Sequence, residues 1–378
     1  MGILIFVLGI SFYHYGNQSW TPIQIKRQVS DALVSYEMFA RNKSIREERL
    51  SQMKNLFMDP HRKGIYVLVI GESETRKHMS VYGYERETTP WLSEMVKQNG
   101  TILFTHAYSN HTHTVPSLTY ALSEKNQYNE VDLKDAYSLV EIAKAAGMET
   151  YWISNQERYG VWDTPVAEMA STAENQIWIN GNVGRSAETT HYDEELVRQI
   201  SQLQLEDNAL VVFHVMGSHG KYSDRYPSEY NEFTGDNSIV DEYDNSVKYN
   251  DYVLKRIYET MSKHPNFMAM VIFSDHGEDP DENKGHESSK FTPRMSQIPF
   301  IALFSPRYRE YNGAEYNRLM AHRDCYWTND LLYNVMVSVM GIEGIPLREP
   351  QLDVSSDAYD RNQGNLRTLH KERNLPEE

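Results

Sequence analysis

The sequence predicts a doubly wound α/β fold, a mostly parallel sheet with helices on both faces, preceded by a partial N-terminal membrane segment. Continuous apolar, β-branched runs recur along the chain, and stretches of helical period separate them. Polar residues close several of the runs, and they predict where chemistry would gather.

The first run, Ile65 to Ile70 (IYVLVI), is of the kind expected for a strand buried on both faces of a parallel sheet. Similar runs stand at Thr150–Ser154, Leu210–His214, Met268–Phe273 and Phe300–Phe304. Helical patterns at Ser138–Ala146 and Val240–Ser262 lie between them. Strands alternating with helices over about 240 residues give a doubly wound sheet. In such sheets ligands gather at the carboxyl ends of the strands. Gly71-Glu72, His214 and Ser274-Asp275-His276-Gly277 each close a run, so all three are expected on one edge.

Ahead of this domain, Ile3 to Tyr13 is uncharged and strongly apolar, but shorter than the ~20 residues that cross a bilayer. It has neither the basic start nor the small-residue cleavage site of a signal peptide. It reads as the end of a membrane-spanning helix, with a buried core helix as the alternative. Ile25, Val29, Leu33, Tyr36 and Phe39 then follow at three- and four-residue steps, the spacing of amphipathic helices. The expected division is a partial transmembrane segment (1–20), an amphipathic helical connector (21–63), a catalytic domain (64–348) and a polar, loosely ordered tail (349–378).

Composition narrows the function. With 37 basic and 53 acidic side chains among 378 residues, the formal charge of −16 disfavours a nucleic-acid-binding face. The single cysteine, Cys325, excludes an intramolecular disulfide and a cysteine zinc cage.

Four stretches carry candidate chemistry. Asp275-His276 at a strand end offers a carboxylate beside an imidazole, a pair suited to zinc, although the same dipeptide also serves as a turn cap. Glu72 directly after a buried run is costly unless it has a partner. In His111-Thr112-His113-Thr114-Val115-Pro116-Ser117, Pro116 suits the first turn of a helix and places Thr114 at or near its N-cap. A capping threonine is the plain reading. A metal nearby would instead make the hydroxyl a nucleophile facing the positive helix end. His214 and His219, in His-Val-Met-Gly-Ser-His-Gly, are each candidates for phosphate or a second metal, or are structural, and His286, ten residues after His276, stands in a polar loop that could fold back over the site.

Taken together these stretches resemble the phosphoethanolamine transferases of Gram-negative inner membranes, which implies the alkaline-phosphatase/sulfatase-like fold. The resemblance covers roughly residues 64 to 345. It rests on VLVIGESETRKHMSVYGYERETTP (Val67–Pro90), FHVMGSHGKYSDRYP (Phe213–Pro227), EYDNSVKYNDYVL (Glu242–Leu254) and FSDHGED (Phe273–Asp279). It implies that Glu72, Thr114, Asp275 and His276 coordinate one zinc ion, with Thr114 rather than Thr112 as nucleophile. It also implies that His219 and His286 contact the phosphoryl group or a second zinc. The implied reaction moves phosphoethanolamine from phosphatidylethanolamine to lipopolysaccharide, core or lipid A, or to another periplasmic acceptor, on the periplasmic face of the inner membrane. Without disulfides, the chain is more similar to the branch acting on lipopolysaccharide core sugars. A hydrolytic phosphodiesterase or phosphatase of the same fold is the alternative, with a non-catalytic membrane-anchored module as a further one. A sulfatase activity is disfavoured, because threonine stands where cysteine or serine would be needed.

Overall fold

A computed structural model describes residues 44–53, 55–156, 164–180 and 191–377. The expected membrane segment, most of the connector and much of the loop Arg158–Tyr192 lie outside the described residues. Among those described, no helix is long and apolar enough to cross a membrane.

The centre is a seven-stranded sheet. Its strands are β1 (Ile65–Gly71), β2 (Thr101–Leu103), β3 (Glu149–Ser154), β4 (Asn175–Trp178), β5 (Ala209–His214), β6 (Phe267–Ser274) and β7 (Phe300–Phe304). Their spatial order is β2-β7-β6-β1-β5-β3-β4. The strands from β6 to β4 run parallel, whereas β7 pairs antiparallel with both β6 and β2. The sheet is therefore mixed. All five expected strands form. The short strands β2 and β4 were not expected.

Both faces of the sheet are covered, which is why the strands read as unbroken apolar runs rather than alternating ones. Every residue of β1 is buried. Tyr66, Leu68 and Ile70 join one core with Leu118 of α2 (Thr114–Ala121), Leu139 of α3 (Leu139–Ala145) and Val335 of α6 (Leu332–Met340). Ile65, Val67 and Val69 face the opposite core, shared with Leu92 of α1 (Pro90–Met95), Leu196 of α4 (Glu194–Ile200) and Val247 of α5 (Ser238–Met261). Each aliphatic side chain buried in this way contributes roughly 1.5–3 kcal/mol.

Helix boundaries follow local chemistry. Ser138 and Glu141 form a capping box that starts α3. The carboxylate of Asp251 on α5 accepts the Trp91 and Leu92 N–H groups, at 2.7 and 3.0 Å, and so caps α1 from another element. Also on α5, Asp241 and Asp244 take Arg86 at 2.8 Å, and Asp244 takes the Tyr84 hydroxyl at 2.9 Å. The long loop after β1 is thus pinned to the longest helix among the described residues.

The segment after Arg348, expected to be loosely ordered, packs against the domain instead. Leu352, Val354, Leu366, Leu369 and Leu375 are buried. These apolar residues are too sparse and aperiodic to be read as an element, but they suffice to hold a coil to an existing core.

Candidate functional site

Parallel pairing brings the predicted strand ends together. Gly71 is in register with Ser274, and Ile70 with His214. Beyond Gly71 the chain turns through Ser73, whose φ of 61° lies in the left-handed region. That turn aims the Ser73 N–H at Asp275 Oδ1 (3.0 Å) and its hydroxyl at Glu72 Oε1 (2.8 Å). Asp275 Oδ1 also accepts the His276 N–H at 2.7 Å, while Oδ2 is buried without a hydrogen-bond partner. One oxygen of the carboxylate is held; the other is left facing the site.

Glu72, Asp275 and His276 form the one cluster of potential metal ligands among the described residues. Their side chains are 1% exposed or less. His276 Nε2 stands 3.4 Å from Glu72 Oε1 and 3.3 Å from Asp275 Oδ2. The Thr114 hydroxyl completes the set, 3.3 Å from Glu72 Oε2 and 3.4 Å from His276 Nε2. Four ligands arranged tetrahedrally about 2.0–2.1 Å from a common centre lie roughly 3.3–3.4 Å apart, a spacing that these four separations match.

The electrostatics agree. Burial raises the pKa of Asp275 and drives that of His276 well below the ordinary value, with the His286 charge adding to the latter. The His276 Nδ1–H donates to the Gly277 carbonyl at 3.0 Å, leaving Nε2 as a lone pair directed at the cluster. Two buried carboxylates and a neutral imidazole, with one carboxylate oxygen unpartnered, form a cation-binding donor set.

Thr114 is the first residue of α2 rather than its cap. His113 occupies the cap position, and no side chain makes a capping hydrogen bond. The threonine hydroxyl is therefore not spent on the helix end and faces Glu72 and His276. The neighbouring Thr112 is fully buried with its hydroxyl unpartnered. The structure brings Thr114, not Thr112, to the carboxylates.

His286 lies across the site, its ring centroid 4.6 Å from that of His276 and 6.2 Å from that of His219. Burial works against its protonation, but Glu278, 2.5 Å from its Nδ1, outweighs burial and lifts its pKa above the ordinary histidine value. His214 does not join this group. Its ring packs edge-on against Trp152, with burial lowering its pKa to about 4.

Several supporting residues carried no sequence signal of their role. Gly217 presses on Glu72, and at its φ of +56° a Cβ would stand 2.6 Å from the Glu72 carbonyl oxygen. Asn329 donates to the Asp275 carbonyl (2.8 Å) and the Ser117 hydroxyl (3.0 Å), tying α2 to the strand end. Glu278 lay within a recognised block, but nothing in that block showed that it orients His286.

Comparison with known proteins gives this geometry its context. Phosphoethanolamine transferase EptC of Escherichia coli O18:K1:H7 (strain RS218 / NMEC) is 30% identical over 273 residues, 67% of this chain and 47% of that protein. The chain thus spans about half the length of the curated relatives it matches. The crystal structure of the C-terminal periplasmic domain of EcEptC from Escherichia coli, in complex with Zn, superimposes with a TM-score of 0.71 at 26% identity, covering 80% of this chain and 88% of that one. The soluble domain of lipooligosaccharide phosphoethanolamine transferase A from Neisseria meningitidis shares the fold, with a TM-score of 0.67 at 22% identity, covering 79% of this chain and 95% of that one. The sulfatase family model matches residues 65–336, the greater part of the sequence and all the strands just described. The chain belongs to the sulfatase family.

Proposed function

We propose that the chain is a zinc-dependent phosphoethanolamine transferase whose nucleophile is Thr114. Phosphatidylethanolamine is the donor, and lipopolysaccharide (core or lipid A) or another periplasmic acceptor receives the group. The observation that carries this reading is the Thr114 hydroxyl at 3.3–3.4 Å from both Glu72 and His276. The names of the relatives and the zinc in the EcEptC domain support it.

Glu72, Asp275, His276 and Thr114 are the residues that would hold the ion. When bound, zinc supplies a Lewis acid that lowers the hydroxyl pKa and offsets charge developing on the phosphoryl oxygens. The Thr114 oxygen bonds to phosphorus as the bond to the diacylglycerol oxygen breaks. The threonine proton is released and the departing alcohol is protonated, so the first half-reaction balances. An acceptor oxygen then attacks the same phosphorus and frees Thr114. In this reading His286, biased toward its cation by Glu278, and the adjacent His219 hold phosphoryl oxygens. Thr114 at the first position of α2 directs the positive helix end to the same anion. The catalytic domain over 64–348 would face the periplasm, with residues 1–20 at the inner membrane, 21–63 connecting and 349–378 following the domain.

The test is mass spectrometry of the protein quenched after mixing with phosphatidylethanolamine in detergent. A phosphoethanolamine adduct is expected on Thr114, and T114A should abolish it and lower turnover by about 10³-fold or more. An adduct that persists in T114A contradicts the assignment. Rapid diacylglycerol release without an acceptor would mark the hydrolase instead.

A further inference from the structure

Beyond the span matched by the family model, Arg367–Thr368 pairs antiparallel with Arg373–Asn374. The turn between them passes through Leu369, His370 and Lys371, with φ of 49°, 50° and 77°. Three consecutive residues bearing a Cβ in the left-handed region are costly, and such strain persists only where surrounding contacts over-determine it.

Here those contacts converge on the segment carrying Thr114. The His370 backbone N–H donates to the Asn110 carbonyl at 3.0 Å. Its Nε2 lies 3.2 Å from the Pro116 carbonyl, which can only accept, and 3.0 Å from Asn110 Oδ1. The ring stacks on Tyr120, with centroids 4.2 Å apart and planes 11° from parallel. Asn110 in turn donates to the Ser117 carbonyl at 3.1 Å and to Asn329 Oδ1 at 2.7 Å. Through Asn329 the same network reaches the Asp275 carbonyl. The strained turn therefore grips the helix that carries the threonine.

We infer that His370 is a positioning residue, which holds the segment from Asn110 to Tyr120 so that the Thr114 hydroxyl stays over Glu72 and His276. The catalytic half of this inference rests on the reading of Thr114 as nucleophile; the structural half does not. A side chain that merely added stability would loosen the whole fold when removed. A positioning residue acts on one helix.

The test compares H370A and H370Q with the unaltered full chain in three measurements: amide hydrogen exchange, zinc stoichiometry, and turnover of p-nitrophenyl phosphoethanolamine. In H370A, exchange across residues 109–121 should quicken about tenfold, with peptides of β1 and β6 unchanged. Turnover should show kcat lowered about tenfold, with KM within about twofold and zinc retained. Glutamine keeps an N–H donor at nearly the same reach, so H370Q should restore most of both effects. Unchanged exchange over 109–121 in H370A would overturn the inference, as would equal quickening in β1 and β6. Were the unaltered chain inactive on the probe, the nucleophile reading would fail while the exchange result still decided the structural half.

Discussion

At the scale of the residue, the site is built from groups whose burial is tolerable only together. Asp275 and Glu72 lie together in a buried pocket, and His276 turns a lone pair rather than a proton toward them. A cation satisfies all three at once. His214 shows the contrasting case of a buried histidine with no such partner. Burial holds its pKa at about 4, below the ~6.5 of an unfolded chain. The unfolded state therefore binds the proton first. The resulting stabilisation is fully present above about pH 6.5 and is lost as pH falls toward 4, on the order of 2–3 kcal/mol. Urea unfolding across that window should show the decline, and H214L should flatten it by about that amount. An unaltered slope in H214L would mean that other groups carry the acid sensitivity. The strand end at His214 was legible from the sequence, but its packing on Trp152 was not, because the contact depends on strand order.

At the scale of the element, the parallel strands were legible because a strand buried on both faces needs apolar residues at every position, as Ile65–Ile70 has. The reversed direction of β7 was not, since Phe300–Phe304 is equally apolar in either direction. The strands β2 and β4 escaped notice for a different reason. They are three and four residues long, and all four residues of β4 are half-buried. The polar strand ends were read correctly as neighbours, but the loop that braces them was not. Gly217 lies in that loop, with Glu72 atoms directly where a Cβ would go. The Ser218 N–H bonds the Glu72 carbonyl at 2.9 Å, so the two backbones are locked together. Alanine at 217 must push Glu72 aside and adopt a left-handed conformation as well. G217A should weaken zinc affinity at least tenfold, read by competition with a chromogenic chelator, and should lower the melting temperature by a few degrees. Retention of full affinity would show that Glu72 is not placed by this loop.

At the scale of the molecule, the sheet edge, α2 and the C-terminal hairpin supply the site from separate parts of the chain. No single motif could have shown the site by itself. The resemblance pointed to Glu72, Thr114, Asp275 and His276, and parallel pairing in register explains why Glu72 meets Asp275 and His276. The C-terminal hairpin could not be foreseen, because a strained turn has no composition of its own and its contacts lie more than 200 residues away, His370 on Asn110. The loop after β1, pinned by Arg86 to Asp241 and Asp244 of α5, makes the Glu72 end of the sheet rigid before any ligand arrives. Such preorganisation is what a hydroxyl needs to be held ready for attack. The central claim is that one ion is gripped from Glu72, Thr114, Asp275 and His276. Anomalous diffraction at the zinc edge from crystals of the full chain tests it most directly. The account predicts a peak about 2 Å from the Thr114 oxygen and from the three other ligands. A strong peak bound elsewhere, or one at the carboxylates with the Thr114 hydroxyl turned away, would contradict it.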